Sequence, residues 1–354
     1  MSPQKRSKRH HTVPRFHLSG FADDKEQLAQ LDINTGHRAT VSIDNATVVN
    51  NFYSIRLGDG TRSDVWEKRF SEVESAAAPA IRRAIEHPHW QPSPQERMDI
   101  ATWIGLQFLR GTSHRRSLAN VKAIAYRMQV GMGGIEYLRH AMQLGLGRDV
   151  EDSELSVVWE DLTRPGGPRV AVTGDEHIES LTRTVEDATK IVFSRGWHIV
   201  RFDRLQLAMN DTPVALIADE EHPAFLGVGL INAGSITVAL NRYTLLWLGA
   251  IGEPDFEMPA SVVLARAHNH SVLFNADRFV YFHPDDNPLP NLPMPRPPRE
   301  DPDPLGPDMI NRDRPLPEVL KQIADHEDPT GRSLIANYTW PLHGYTPPAT
   351  NTDL

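Results

Sequence analysis

Two adjacent histidines, two spaced glutamates, a cluster of arginines and a turn aspartate are the residues whose types and spacing could do chemistry. Lys5 to His11 reads KRSKRHH and runs straight into Thr12-Val13-Pro14-Arg15-Phe16. Neighbouring side chains diverge on an extended backbone, so His10 and His11 cannot chelate one metal by themselves. One of them is expected to turn inward. The expectation falls on His11, beside the apolar anchor of Val13, Phe16, Leu18 and Phe21. An imidazole there is equipped to act as metal ligand, general base or hydrogen-bond donor near neutral pH. The plainer alternative is a buried ring bonded to backbone. His10 and Arg15, at the end of a basic run, are the matching candidates for holding a phosphate or carboxylate.

Glu67 and Glu74 are seven apart, two turns along one face of a predicted helix, whereas Glu72 points about 140° away from Glu67. Carboxylates beside an apolar stripe are either solvated edge residues or acids buried against a partner. Gln107, Arg110 and Arg115 come at the end of an apolar helix, with His114 and Arg116 thickening the cluster. Guanidinium forks suit carboxylate or phosphate, and they also suit the negative end of a helix dipole. Asp211, in Asn210-Asp211-Thr212-Pro213, has ordinary turn chemistry and also a place at a strand end, where ligand sites gather. His268 and His270 lie about 200° apart on a helix and cannot share a metal. His87-Pro88-His89 reads as a helix-terminating loop. No GxxxxGK[ST], GxGxxG, HExxH or GxSxG motif is present.

The elements that must position these residues follow from periodicity. Residues 28–43 read as a β-hairpin turning at Asn34-Thr35-Gly36, with Val48 to Ile55 as a third strand. Ser63 to Ile85 is helical, with a kink or restart expected at Pro79. Ser93-Pro94-Gln95-Glu96 opens a second helix with a capping box and proline in the first turn. A third runs from about Leu118 to Leu144, interrupted by Gly131, Gly133 and Gly134, and a fourth from Asp175 to Ser194. After Trp197 come short β-rich runs to residue 251, then a helix over PASVVLARAHNHSVLFNA and the run RFVYFHP. The fold expected is α+β: a helical middle region packed against a mixed or antiparallel sheet, with an N-terminal hairpin and a Pro-rich C-terminal extension. The division expected is a basic arm over 1–9 and a single α+β domain over 10–283, helical at about 63–195 and sheet-forming at about 197–251. A Pro-rich linker over 284–317, with proline at about one position in three, and a polar tail over 318–354 complete it.

The chain of 354 residues has a net charge of -9, so a dedicated duplex-binding protein is disfavoured overall. The local run Lys5 to Arg15 nonetheless carries no acid before Asp23, which permits a nucleic acid or other phosphate-bearing partner. The absence of cysteine excludes disulfides and thiolate metal sites and points to a cytoplasmic location. No apolar run reaches the ~18 residues of a membrane helix.

These segments together resemble the family of domain of unknown function 4238. The resemblance is carried by KRHHTVPRFHLSGFA, NNFYSI, the helix of Glu67 and Glu74, QFLRGTSHRR, His177-Ile178, NDTPVALI, ITVALNRYTLLWLG, the Asn269 helix and RFVYFHP, and it covers roughly residues 5–284. The family usually has Ser-Asp-Asn-Pro where this chain has Asn210-Asp211-Thr212-Pro213. What the resemblance implies is a shared pocket holding His11, Arg15, Glu67, Glu74, Arg110, His177 and Asp211. On that basis His11, His177 and Asp211, with Glu67 or Glu74, form a candidate nitrogen–oxygen set for a divalent Zn, Mn or Fe ion. Arg15, Arg110, Arg115 and His10 would bind the substrate. The activity that fits is metal-dependent, nuclease-like hydrolysis of a phosphate-bearing substrate, with His11, Glu67, Glu74 and Asp211 catalytic. The alternative is a non-catalytic ligand-binding or sensor module, in a bacterial defence or toxin setting. A third reading makes His11, Glu67 and Arg110 a buried structural ion-pair network.

Overall fold

The computed structural model describes residues 9–56, 61–63, 65–163, 168, 170–219, 228–255, 257–290 and 292–295. The expected tail over 318–354, most of the Pro-rich linker and residues 1–8 of the basic arm lie outside them.

The chain begins with a short strand β1 (Arg9–His11) and one helical turn α1 (Arg15–Leu18). The hairpin β2 (Gln27–Asp32) and β3 (Arg38–Ser42) turns where expected, with Gly36 at φ 70°, a left-handed conformation that glycine adopts freely. The next run is divided. Only β4 (Val48–Asn50) is strand, and it pairs antiparallel with β1 rather than extending the hairpin. A turn then leads to β5 (Ile55–Arg56), which pairs with β6 (Arg62–Ser63).

Four long helices and one short one follow: α2 (Val65–Glu86), α3 (Pro94–Arg110), α4 (Thr112–Leu146), α5 (Asp152–Thr163) and α6 (Gly174–Phe193). The break expected at Pro79 does not occur. The ring sits on the exposed side of α2, so the carbonyl it leaves without a partner is that of Ser75, also exposed. Helix α3 starts on the expected capping box, Ser93 accepting from the Glu96 amide while Glu96 accepts from the Ser93 amide. Helix α6 has the same device in Thr173 and Glu176. The glycine interruption falls at Gly134, where φ 69° and ψ -171° split α4 into two helical stretches.

The strands β7 (Arg195–Arg201), β8 (Met209–Asn210), β9 (Ala215–Ile217), β10 (Ser235–Asn241) and β11 (Thr244–Ile251), then α7 (Val262–Asn275) and β12 (Phe279–Phe282), complete the described fold. They build two four-stranded sheets, ordered β7-β11-β10-β9 and β3-β2-β12-β8, every pairing antiparallel. The first sheet separates two cores, and its side chains alternate between them as a strand period of two requires. Leu245 and Trp247 join Val13, Leu28, Leu273 and Val280 on one side. Leu246 and Leu248 join Phe70, Trp103, Ile104 and Leu181 on the other. The architecture is therefore α+β, with helices on one face of the central sheet and the second sheet with α7 on the other.

Several histidines are buried within these layers. His17 lies edge-on to Trp103 and bonds the Ala239 carbonyl at 2.6 Å through Nε2, which fixes Nε2–H as the donor. His268 bridges the Ala208 carbonyl and the Thr237 hydroxyl, each at 3.2 Å. Burial holds both rings down at about 4. An unfolded histidine titrates near 6.5. As pH falls below about 6.5 the unfolded chain gains protons that the folded rings refuse until about 4, so folding stability drops across that window and is level above it. At pH 5 the loss is expected to be about 2 kcal/mol per ring. Urea unfolding at pH 7.5 and pH 5 measures it, and His17→Gln should flatten the slope. An unchanged slope in that variant would show that the ring is not held neutral.

Candidate functional site

The predicted site residues divide into a buried centre around Arg110 and two outlying positions. Arg110 ends α3 at 1% exposure, a guanidinium placed where water cannot reach it. Its Nη1 meets Glu74 at 2.6 Å and its Nε donates to the Thr12 carbonyl at 3.0 Å. With the Gln107 amide oxygen turned toward it, Nε and Nη2 also donate there at 3.0 and 2.9 Å. Burial disfavours the charge, but the Glu74 carboxylate outweighs it and holds Arg110 above its usual range. Glu67, two turns from Glu74 on the same face, also acts electrostatically on Arg110 and Tyr53. The seven-residue spacing thus does aim both acids at one cation.

The turn between β4 and β5 covers this centre. Tyr53 donates its hydroxyl to the Arg110 carbonyl at 3.2 Å and packs edge-on to Phe70. It is His10 that turns inward. Its Nδ1 accepts from the Tyr53 amide at 2.9 Å, and its ring stacks on Tyr53 at 5.6 Å and 6°. Pairing of β1 with β4, His10 opposite Val49, decides this phase. A fully buried His10 bonded in this way has no open face for a substrate, whereas His11 is only partly buried. The His11 ring is hydrogen-bonded to the Ala46 backbone, burial lowers its pKa, and Nδ1 has no hydrogen-bond partner. Arg15 is exposed and meets Asp44 at 2.9 Å and Glu26 at 3.9 Å.

His177, on α6, donates through Nε2–H to the Leu109 carbonyl, 3.0 Å away, and burial holds it at about 4. Its neighbour His114 lies 6.0 Å away between ring centroids, and burial lowers that ring as well. His177 Nδ1 and His114 Nε2 have no hydrogen-bond partner. Arg115 spends Nε and Nη2 on the Val172 carbonyl and lies over the Phe52 ring. Among the described residues no group of three or more His, Asp or Glu side chains is arranged to hold a metal ion.

Asp211 occupies a different corner. Its Oδ1 accepts from the Asp277 amide at 2.7 Å, and its Oδ2 from the Arg278 and Phe279 amides at 2.8 and 2.9 Å. Burial pushes this carboxyl up to about 6, against the pull of those amides and Arg116. Three amide donors favour the ionised form, and with them Asp211 is the clamp that joins α7 to β12. The link between this corner and the N-terminal segment is Tyr281, whose hydroxyl bonds the Thr47 backbone and lies in the field of Asp211. Thr12 bonds the same Thr47 through its amide at 2.9 Å.

A cavity of about 330 Å³ lies elsewhere, between α7, residues 204–206 and residues 286–290. Asn269 staples its three walls: Oδ1 accepts from the Ala208 amide, and Nδ2 donates to the Gln206 and Pro288 carbonyls at 2.9 and 3.1 Å. Asp286, in the wall, is matched by Arg242 at 3.2 Å. Arg204 and Arg266 also line it, both are exposed, and among the described residues neither meets a carboxylate. Sequence reasoning missed both arginines. Their only signal is an arginine on an otherwise apolar helix start and another in a loop.

Two substitutions test the Arg110 centre and the Asp211 clamp in turn. Arg110→Met strands the Glu74 carboxylate and the Thr12 carbonyl, and should cost about 3 to 5 kcal/mol. Asp211→Ala leaves three amides unsatisfied and should cost about 1 to 3 kcal/mol. Denaturant midpoints measure both, and a value for Arg110→Met within about 1 kcal/mol of the parent would contradict the buried-pair account.

The chain matches the family described as Protein of unknown function (DUF4238) over residues 9–286. No curated protein and no solved structure matches it. The matched stretch takes in the Arg110 centre, the Asp211 clamp and most of the Asn269-stapled cavity, and the chain belongs to the DUF4238 family.

Proposed function

We propose that the protein is a ligand-binding module that takes a small phosphate-bearing molecule in the cavity walled by Asn269. The observation that supports this is the pair Arg204 and Arg266, two guanidiniums lining one cavity without a carboxylate partner among the described residues. Arginine forks match phosphate oxygens bidentately. The walls are pre-set by Asn269, whose three hydrogen bonds tie them before any ligand arrives, so little ordering remains to be done on binding.

A hydrolytic second reading rests on His11, whose partly exposed ring keeps Nδ1 without a partner and sits near Arg9 and Arg15. It would act on a phosphodiester, with a divalent metal as Lewis acid.

Binding of inorganic phosphate or pyrophosphate to the full chain should raise Tm with concentration. Arg266→Ala should abolish the rise without lowering the basal Tm, because that side chain is exposed. No rise with either anion, or a rise that persists in Arg266→Ala, would sink the binding proposal. Turnover of a chromogenic phosphodiester in the presence of Mn²⁺, lost in His11→Ala, would favour the hydrolytic reading instead.

A further inference from the structure

A second cavity, of about 270 Å³, lies at the other end of the helical layer, between the loop joining α2 to α3, strand β7 and the segment after β11. Three independent features meet there. The first is backbone strain at His89, which holds φ at 57°, a left-handed conformation that a residue with a Cβ rarely adopts. Its imidazole Nδ1 lies 2.5 Å from the Glu257 carboxylate, both side chains being exposed at the cavity mouth. Strain of this kind persists where the surrounding structure enforces it, and it concentrates at binding sites.

The second feature is a pair of donors without an acceptor among the described residues. Trp90 Nε1 and Arg201 Nε are buried and have no hydrogen-bond partner among the described residues, and both residues line the cavity. The remaining Arg201 donor that is accounted for, Nη2, goes to the Ala84 and His87 carbonyls at 2.5 and 2.7 Å, closing the end of α2. Buried donors without acceptors are uncommon in native proteins. The third feature is the wall itself, where the half-buried indole of Trp90 stands beside Trp197, which is 4% exposed with the Arg97 guanidinium over its ring.

The chemistry of the wall narrows the ligand. Asp255 is already spent, accepting from the Trp197 amide at 2.8 Å and from Arg97 at 2.6 Å. Glu257 and Arg201 carry opposite charges on the same cavity, so a net anion would face Glu257 and a net cation would face Arg201. A neutral ligand that offers acceptors to Trp90 and Arg201, donors to Glu257, and an apolar face to the Trp90 indole suits the wall. The volume is below that of sites for drug-sized ligands, which confines the ligand to about one ring. We infer that the Trp90–Trp197 cleft binds a single neutral, polyhydroxylated ring, a monosaccharide or the terminal sugar of a glycan. This site is separate from the Asn269-stapled cavity and does not depend on its function.

The test uses the full chain with glucose and N-acetylglucosamine as probes, read by tryptophan fluorescence and saturation-transfer NMR. Saturable binding of at least one sugar is expected, weakened about fivefold or more in Trp90→Phe, which keeps a ring and removes the N–H. His89→Gly should weaken it similarly while folding at least as stably, because glycine relieves the left-handed strain. Arg266→Ala should leave sugar binding unchanged, which separates this result from the phosphate experiment. Absence of saturable binding by both sugars would overturn the inference, as would binding indifferent to both Trp90→Phe and His89→Gly. Inorganic phosphate or tetramethylammonium quenching the same fluorescence, with sugar unable to compete, would also overturn it.

Discussion

A guanidinium at 1% exposure is the constraint around which the helical half of this protein is arranged. Removing a charge from water costs several kcal/mol per ion unless the new surroundings supply acceptors of good geometry. Arg110 finds them on three separate stretches of chain: Glu74 on α2, Gln107 on its own helix and the Thr12 carbonyl after β1. Meeting that demand fixes the approach of α2 to α3 and pins the N-terminal segment over both. Tyr53 then closes the arrangement by bonding the Arg110 carbonyl, and His10 holds Tyr53 by its amide. The basic N-terminal run therefore ends in a structural anchor, and the chemistry of its first histidine is consumed there.

Because the centre satisfies itself, the polar groups left over for a partner lie at the margins of the layers. The central sheet sends alternate residues into two cores, and it is its edge strand β7 that borders a cavity. Loops supply much of the wall of both cavities described above: residues 204–206 with residues 286–288 and Pro290 beside α7 in one case, residues 89–92 with Asp255 and Glu257 beside β7 in the other. A rigid scaffold carrying binding groups on its connections is the usual division of labour.

Much of the fold was legible in the sequence, and the reasons for the failures are specific. The hairpin at Gly36, the capping box at Ser93 and the strands after Trp197 are local signals, and local signals survive folding. A strand pattern, however, tells that His10 and His11 diverge without telling which faces inward, since that phase depends on β4, some forty residues away. Asp211 carries ordinary turn chemistry, yet its three amide partners lie 66 to 68 residues along the chain. Pro79 looks like a helix break until its exposed position on α2 is known. Glu67 and Glu74 were readable as a pair because seven residues make two helical turns, but the cation they serve ends another helix.

Acceptor accounting separates the arginines of this chain into two kinds, and the separation bears on function. Arg110 delivers Nε, Nη1 and Nη2 to protein oxygens. Arg195, equally buried, gives Nη1 to the Gly249 carbonyl and Nη2 to those of Leu230 and Ala233. Arg115 gives two nitrogens to the Val172 carbonyl. Such residues offer a phosphate little, however basic the sequence around them looks, because each contact with a ligand would first break a contact with the chain. A guanidinium is available for recognition when its donors are not spent on backbone carbonyls, and Arg204 and Arg266, exposed residues that line a cavity, meet no carboxylate among the described residues. Local charge density singles out the cluster after Gln107, but the pattern of acceptors shows Arg110 and Arg115 committed to the chain, whereas Arg204 and Arg266 stand exposed on the walls held by Asn269.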